Sequence, residues 1–230
     1  MNNYKIYNID CVHGSKEQIP EESVDLIIAD PPFNLAFGGT TQTKTGKPRF
    51  SITQNDNLEF KEYMRFTLKW LNEAYRILKK RRHIYVFIDW RMYAYLSLWM
   101  KRAGFIIKNL IVWDKQHIGL GHHYRFQHEF LIFAVKSKDK NRRTKCRSTS
   151  DIWRIPKISN HKLTHPYEKP VELMDKIIIN STEESELVVD FFAGCGTVLS
   201  ACINNNRDCI AFEIDSYFYD LMKRKFPELE

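Results

Sequence analysis

Leu187-Val188-Val189-Asp190-Phe191-Phe192-Ala193-Gly194-Cys195-Gly196-Thr197 runs from an apolar segment through a glycine turn into a helical pattern. Residues 187–191 read as a buried strand and residues 197–204 as the helix that follows. Gly194 and Gly196 let the backbone pass close to a ligand, and Thr197 is placed to cap the helix. A dinucleotide-binding fingerprint requires a further small residue three positions after the second glycine. Position 199 is Leu199, which disfavours a pyrophosphate ligand. Glu213 ends the next predicted strand, 208–214, where a carboxylate can accept hydrogen bonds from both ribose hydroxyls. The implied ligand is a nucleoside without a pyrophosphate. The competing reading is an ordinary left-handed turn and a solvated glutamate.

Outward from this unit, strand and helix patterns alternate along the whole chain. Strands are expected at 4–9, 24–29 and 83–88, and amphipathic helices at 61–79 and 92–103. Residues 105–113 and 126–135 read as two strands with no helical pattern between them, which predicts an antiparallel pair. Helices are expected again at 171–180 and 217–225. The pattern is α/β: one domain over 1–230 with a mostly parallel sheet and one antiparallel strand. In such sheets ligands sit at the carboxyl ends of the strands. Asp10, Asp30, the turn after Phe191 and Glu213 all fall there.

Asp30-Pro31-Pro32-Phe33 closes the 24–29 strand. Each proline fixes its own φ and offers no N–H, and the residue before a proline is kept out of helical geometry. The Asp30 carboxylate and the Pro31 carbonyl can therefore address one donor, while Phe33 lies against a flat substrate. An exocyclic amine on a nucleobase meets both demands. Read alone, the tetrad is equally a proline-rich turn with a core phenylalanine.

Composition sets the limits. The chain has 230 residues, 43% hydrophobic and 27% charged, which is ordinary for a globular protein with a buried core. Its formal charge of +7 favours a polyanionic partner. The five cysteines (Cys11, Cys146, Cys195, Cys202 and Cys209) form no metal-binding spacing and read as reduced thiols of a cytoplasmic protein. No signal pattern opens the chain, and no apolar run reaches the roughly 20 residues of a membrane span. Residues 36–57 and 136–164 are long polar loops. Lys44, Lys47 and Arg49 in the first, and Lys140, Arg142, Arg143 and Lys145 in the second, are candidate phosphate contacts; the alternative is solvated loop surface. Trp153 and Arg154 are weaker candidates for reading bases. His122 and His123 lack the companion ligands of a metal site, and none is expected.

The pairing of Asp30-Pro31-Pro32-Phe33 with Asp190-x-Phe192-x-Gly194-x-Gly196 resembles the amino-directed DNA methyltransferases. The catalytic tetrad precedes the glycine turn, an order similar to that of the β group, whose members look like circular permutations of the Rossmann-like methyltransferase fold. His165-Pro166-Tyr167-Glu168-Lys169-Pro170, Trp113-Asp114-Lys115 and His128-Glu129 resemble further segments of that group. The resemblance implies a seven-stranded sheet, S-adenosyl-L-methionine as cofactor and DNA as partner. It implies that Asp30, Pro31, Pro32 and Phe33 hold the target amine of a flipped-out base. It implies that Phe192, Gly194, Cys195, Gly196 and Thr197 form the cofactor loop, with Glu213 on the ribose and Ile214 beside the adenine. Asp10 and Cys11 then meet the adenine edge, and His165 and Lys169 lie near the methionine carboxylate.

The aromatic of the tetrad is phenylalanine where tyrosine is commoner in the family, which keeps the stacking face and loses a hydroxyl. Adenine N6 is the expected target. Cytosine N4, an RNA or protein amide nitrogen, and a catalytically silent DNA-binding subunit are the rivals. A chain of this size covers little DNA and leaves room for a homodimer, though no residue specifies one.

Overall fold

The computed structural model describes residues 2–36, 54–119, 122–159, 161–164 and 168–229. Its elements follow the alternation: β1 (Tyr4–Tyr7), α1 (Cys11–Gln18), β2 (Val24–Ala29), α2 (Phe60–Ile77), β3 (Leu78–Ile88), α3 (Trp90–Arg102), β4 (Ile106–Asp114), β5 (His128–Val135), β6 (Ile152–Arg154), α4 (Val171–Ser181), β7 (Leu187–Asp190), α5 (Thr197–Asn204), β8 (Asp208–Phe212) and α6 (Ser216–Lys225). The eight strands form one sheet in the order β1-β8-β7-β2-β3-β5-β4-β6. Among the described strands only β5 runs against the rest, pairing antiparallel with both β3 and β4. The expected single antiparallel strand is therefore present, but the described residues form eight strands rather than seven. The extra strand, β6, is three residues that continue the sheet beyond β4 by pairing with Val112–Asp114. A run so short leaves no periodicity in the sequence.

Every residue of β2 is buried, as expected for a central parallel strand covered on both faces. Helices α1, α2 and α3 form one row against the sheet, and α4 pairs with α5 in another. Trp70, Leu71, Ala74 and Ile77 give α2 its buried stripe. Helix α1 has no comparable stripe. Instead Gly14 lies where a Cβ would meet the Phe212 ring at 2.5 Å, so α1 sits on β8 through the absence of a side chain.

The order places a topological switch between β2 and β7. From β2 the chain leaves through α2 to β3 on one side, and from β7 through α5 to β8 on the other. The two strands pair in parallel with Ile28 opposite Asp190, so Asp30 and Asp190 end side by side. The diverging connections open a crevice above that point, where ligands of such sheets bind.

Candidate active site

A cleft of about 1200 Å3, its open mouth included, lies over the ends of β2, β7 and β8. Among its described lining residues, six carboxylates (Asp10, Asp30, Glu168, Asp190, Glu213 and Asp215) face a single lysine, Lys169. Phe33, Phe66, Phe192, Ile214 and Phe218 supply its apolar wall. Phe192 is set edge-on to Trp70 and Phe66, at centroid distances of 5.5 and 6.2 Å.

The tetrad is held from below. Tyr63 of α2 donates its hydroxyl to the Pro32 carbonyl at 2.8 Å. The Asn34 amide exchanges two hydrogen bonds with the Leu58 backbone, at 2.9 and 2.7 Å, which ties the start of the 36–57 loop to its end. Asp30 lies under the cleft with its Oδ2 2.6 Å from Lys169 Nζ. Its other oxygen, Oδ1, has no hydrogen-bond partner among the described residues. Burial pushes the Asp30 carboxyl up to about 6, with Lys169 opposing the rise and Glu129 adding to it.

The glycine turn takes the expected course with two changes of detail. Gly194 and Gly196 both have positive φ, 53° and 79°. Gly196 itself occupies the N-cap, so Thr197 is the first residue of α5 and not its cap. A Cβ on Gly196 would meet Met222 at 2.7 Å and Phe226 at 2.9 Å. That glycine therefore admits α6, while Gly194 is the one that lines the cleft. Cys195 is buried, which raises its thiol above the ordinary value and makes it a poor nucleophile.

Glu213 accepts the Gly194 N–H on one oxygen at 2.7 Å and the Asp215 N–H on the other at 2.8 Å. These bonds fix the plane of the carboxylate and join the turn to the end of β8. Burial still pushes Glu213 up to about 6. Asp10 caps α1, its Oδ1 accepting from Val12 and His13. Cys11 is buried beside it and Ile214 is exposed on the cleft.

Sequence reasoning gave Asp190 no role of its own. Its side chain is buried and accepts the Phe192 N–H at 3.0 Å. Burial, with Asp30 and Glu213 nearby, pushes it up to about 8. Its position in the quoted motif was the available clue. Glu129 was missed as well. It enters from the start of β5, with Oε2 3.4 Å from Lys169 and Oε1 3.1 Å from Lys115. Lys169 thus sits on Asp30 and Glu129 in this structure. His165 lies outside the described residues.

The loop cations fare differently. Lys44, Lys47 and Arg49 lie outside the described residues. The stretch from Lys140 to Lys145 runs at the opposite end of the sheet from the cleft. Arg142 donates to both oxygens of Glu186, just before β7, and Lys145 pairs with Glu183 at 2.6 Å. Two of the four expected phosphate contacts are therefore engaged in ion pairs at the amino ends of the strands. Lys140 and Arg143 are carried at that same end, where the Lys140 carbonyl accepts from Arg81. Trp153 is buried, donates to the Ser150 carbonyl and lies under Lys176, so it is a core residue and not a base reader.

A family model described as DNA methylase matches residues 24–224. The chain belongs to that family. The methylase is 27% identical to the type II methyltransferase M2.MboI of Moraxella bovis, over 99% of this chain and 89% of that one. It is also 27% identical to the type II methyltransferase M.HpaI of Haemophilus parainfluenzae, over 91% of this chain and 70% of that one. Among solved structures, the cytosine-N4-specific PvuII DNA methyltransferase superposes with a TM-score of 0.76 at 19% identity, covering 98% and 87% of the two chains. The complex of M1.HpyAVI with SAM gives 0.69 at 24% identity, covering 97% and 100%. At those identities the superpositions establish the fold. The motif order read from the sequence, catalytic tetrad first and glycine turn second, is that of the β group of amino-directed DNA methyltransferases, and the methylase has it. No described helix is long and apolar enough to cross a membrane.

Proposed function

We propose that the methylase transfers a methyl group from S-adenosyl-L-methionine to the N6 amine of adenine in DNA. The observation that carries this reading is the Asp30 Oδ1 atom, buried with no partner among the described residues at the floor of a cleft whose described lining holds six carboxylates and one lysine. A buried acceptor left unmatched is costly and calls for a donor from outside the chain. The excess of negative charge suits a ligand of net positive charge, and it repels a pyrophosphate. S-adenosyl-L-methionine has a sulfonium, an ammonium and one carboxylate. Glu213 and Asp10 then face its nucleoside end, and Phe192 and Ile214 its adenine.

When bound, the cofactor supplies an electrophilic methyl whose bonding pair stays on sulfur as the carbon is transferred. The residues of the chain supply placement and charge. Asp30 Oδ1 accepts one N–H of the target amine, and the Pro31 carbonyl accepts the other. Those two bonds favour a tetrahedral nitrogen whose lone pair points into the cleft. Alignment of this kind accounts for most of the acceleration in such transfers. The new nitrogen–carbon bond leaves the amine with a surplus proton. Asp30, held near neutrality, accepts it and returns it to water. The base must leave the duplex to reach this floor, and Phe33 stacking offsets part of the lost stacking, by about 1–3 kcal/mol.

Expression in a host free of DNA methylation, followed by sequencing for modified bases, tests the reading. N6-methyladenine in a fixed context is the expected result. N4-methylcytosine would overturn the choice of base, and unmodified DNA from a protein that methylates RNA would overturn the substrate class.

A further inference from the structure

We propose that Lys169 is a positioning residue that fixes Asp30 through one carboxylate oxygen so that the other faces the target amine, and that Glu129 limits how strongly it does so. The inference rests on the reading of this cleft as a methyl-transfer centre. A carboxylate free to rotate presents either oxygen. Here Oδ2 is taken by the ammonium at 2.6 Å, and Oδ1, with no partner among the described residues, is left for a substrate.

Lys169 suits this role by its backbone and its surroundings. It precedes Pro170, which keeps it extended, and Pro170 is itself the N-cap of α4. The side chain is buried, and its ammonium lies 5.7 and 5.1 Å from the ring centroids of Phe33 and Phe87. Glu129 reaches it because β5 runs antiparallel: its first residues, and not its last, lie at the cleft end of the sheet. Lys115 in turn holds Glu129. The result is a row of alternating charges, Asp30, Lys169, Glu129 and Lys115.

Among the described residues, the charged groups facing Asp30 are Lys169, Glu129 and, on the adjoining strand end, Asp190. Lys169 favours the ionised form of Asp30 and Glu129 opposes it. Removing the two charges must therefore move the ionisation of Asp30 in opposite directions. A residue that merely filled space would give no such pair of signs.

The test measures single-turnover methyl transfer to duplex DNA against pH for the full chain and for Lys169→Met and Glu129→Gln. Cofactor affinity is measured for each by calorimetry. Wild-type transfer should fall as Asp30 takes up a proton near pH 6. In Lys169→Met the acid limb should move to higher pH, with a loss of roughly tenfold for each unit of displacement at a pH below the new limb, recovered as the pH is raised. In Glu129→Gln the limb should move to lower pH. S-adenosyl-L-methionine affinity should stay close to wild type in both.

Should Lys169→Met fail to fold, Glu129→Gln changes only charge and carries the test alone. Limbs that coincide with wild type overturn the proposal. So does a Lys169→Met variant whose cofactor affinity collapses at an unmoved limb, which would make Lys169 a cofactor ligand. A wild type that transfers no methyl to any DNA overturns the functional reading and this inference with it. Wild-type transfer with unmoved limbs overturns this inference only.

Discussion

The two ends of the sheet use the same side chains in opposite ways. At the amino ends of the strands, Asp25 is held by Lys79 at 2.8 Å and Arg82 at 3.0 Å, and Glu186 by Arg82 and Arg142. Each of these two carboxylates meets two cations. At the carboxyl ends, Asp190 lies near both Asp30 and Glu213, Lys169 pairs with Asp30, and the other Asp30 oxygen has no partner among the described residues. Charge that is matched internally holds the fold together. Charge left unmatched at the switch point is what a ligand can complete.

The largest effect that would break this comparison is at Asp30. Asp30→Ala should retain cofactor binding and lose methyl transfer by about 10²–10⁴-fold, since a group that holds and relieves the reacting amine is gone. A labelled-methyl assay with calorimetry of cofactor binding checks it. Turnover near wild type would show that the unmatched oxygen has no catalytic part.

Next in size is Glu213. Glu213→Ala should weaken S-adenosyl-L-methionine binding by about 1–3 kcal/mol, because ribose hydroxyls lose an acceptor and the Gly194 and Asp215 N–H groups lose theirs. The matched control is Glu186→Ala at the other end, which should lower the melting temperature and leave the affinity of the folded protein alone.

The two ends should also respond to pH with opposite signs. Asp190 is pushed up to about 8 by burial, from an ordinary value of 3.8. Over that interval the folded state binds more protons than the unfolded one, so the unliganded protein loses stability as pH rises from about 4 toward about 8. Burial also pushes Glu186 up, but Arg142 and the Glu183 N–H outweigh it and bring it below its ordinary value. Its contribution is present above the unfolded value and lost as pH falls. Asp190→Asn should therefore flatten the alkaline side of a melting-temperature profile, and Arg142→Met should flatten the acid side. Unaltered profiles in both would remove the contrast.

Much of this layout is legible in the sequence, and what is not has physical causes. The tetrad, the glycine turn and Glu213 are local patterns, and the strand ends that carry them follow from apolar runs. Helix α5 spans 197–204 as read, and the lone antiparallel strand follows from two strand patterns with no helix between them. Helix α1 was missed because it packs through Gly14 and not through a stripe. The Asp30–Lys169 pair joins residues 139 positions apart, which no periodicity records. The segment around Arg142 read as free cations for the same reason: its carboxylate partners Glu183 and Glu186 come about 40 residues later, on the far side of α4.

That segment gives the smallest expected effect and the sharpest test of the comparison. A DNA-binding face must lie where a flipped base can reach Asp30, at the carboxyl ends of the strands. Lys140 and Arg143 lie at the other end. Lys140→Gln with Arg143→Gln should leave DNA affinity and its salt dependence unchanged. The cations on the cleft side are different in kind. Lys157 and His161 share a concavity with Lys115 and His117, with no carboxylate among its described lining residues. Burial and the neighbouring Lys115 both hold the Lys157 amine below its ordinary value. Lys157→Gln with His161→Gln should weaken binding to all duplexes alike. If Lys157 meets one phosphate, the slope of log affinity against log salt should flatten by about 0.9. Target preference should persist, because phosphate contacts position the protein and base contacts specify the site. A salt titration of both double variants decides between the faces. A flattened slope in the Lys140 and Arg143 variant alone would put the DNA at the amino ends and undo the assignment of the matched end to structure.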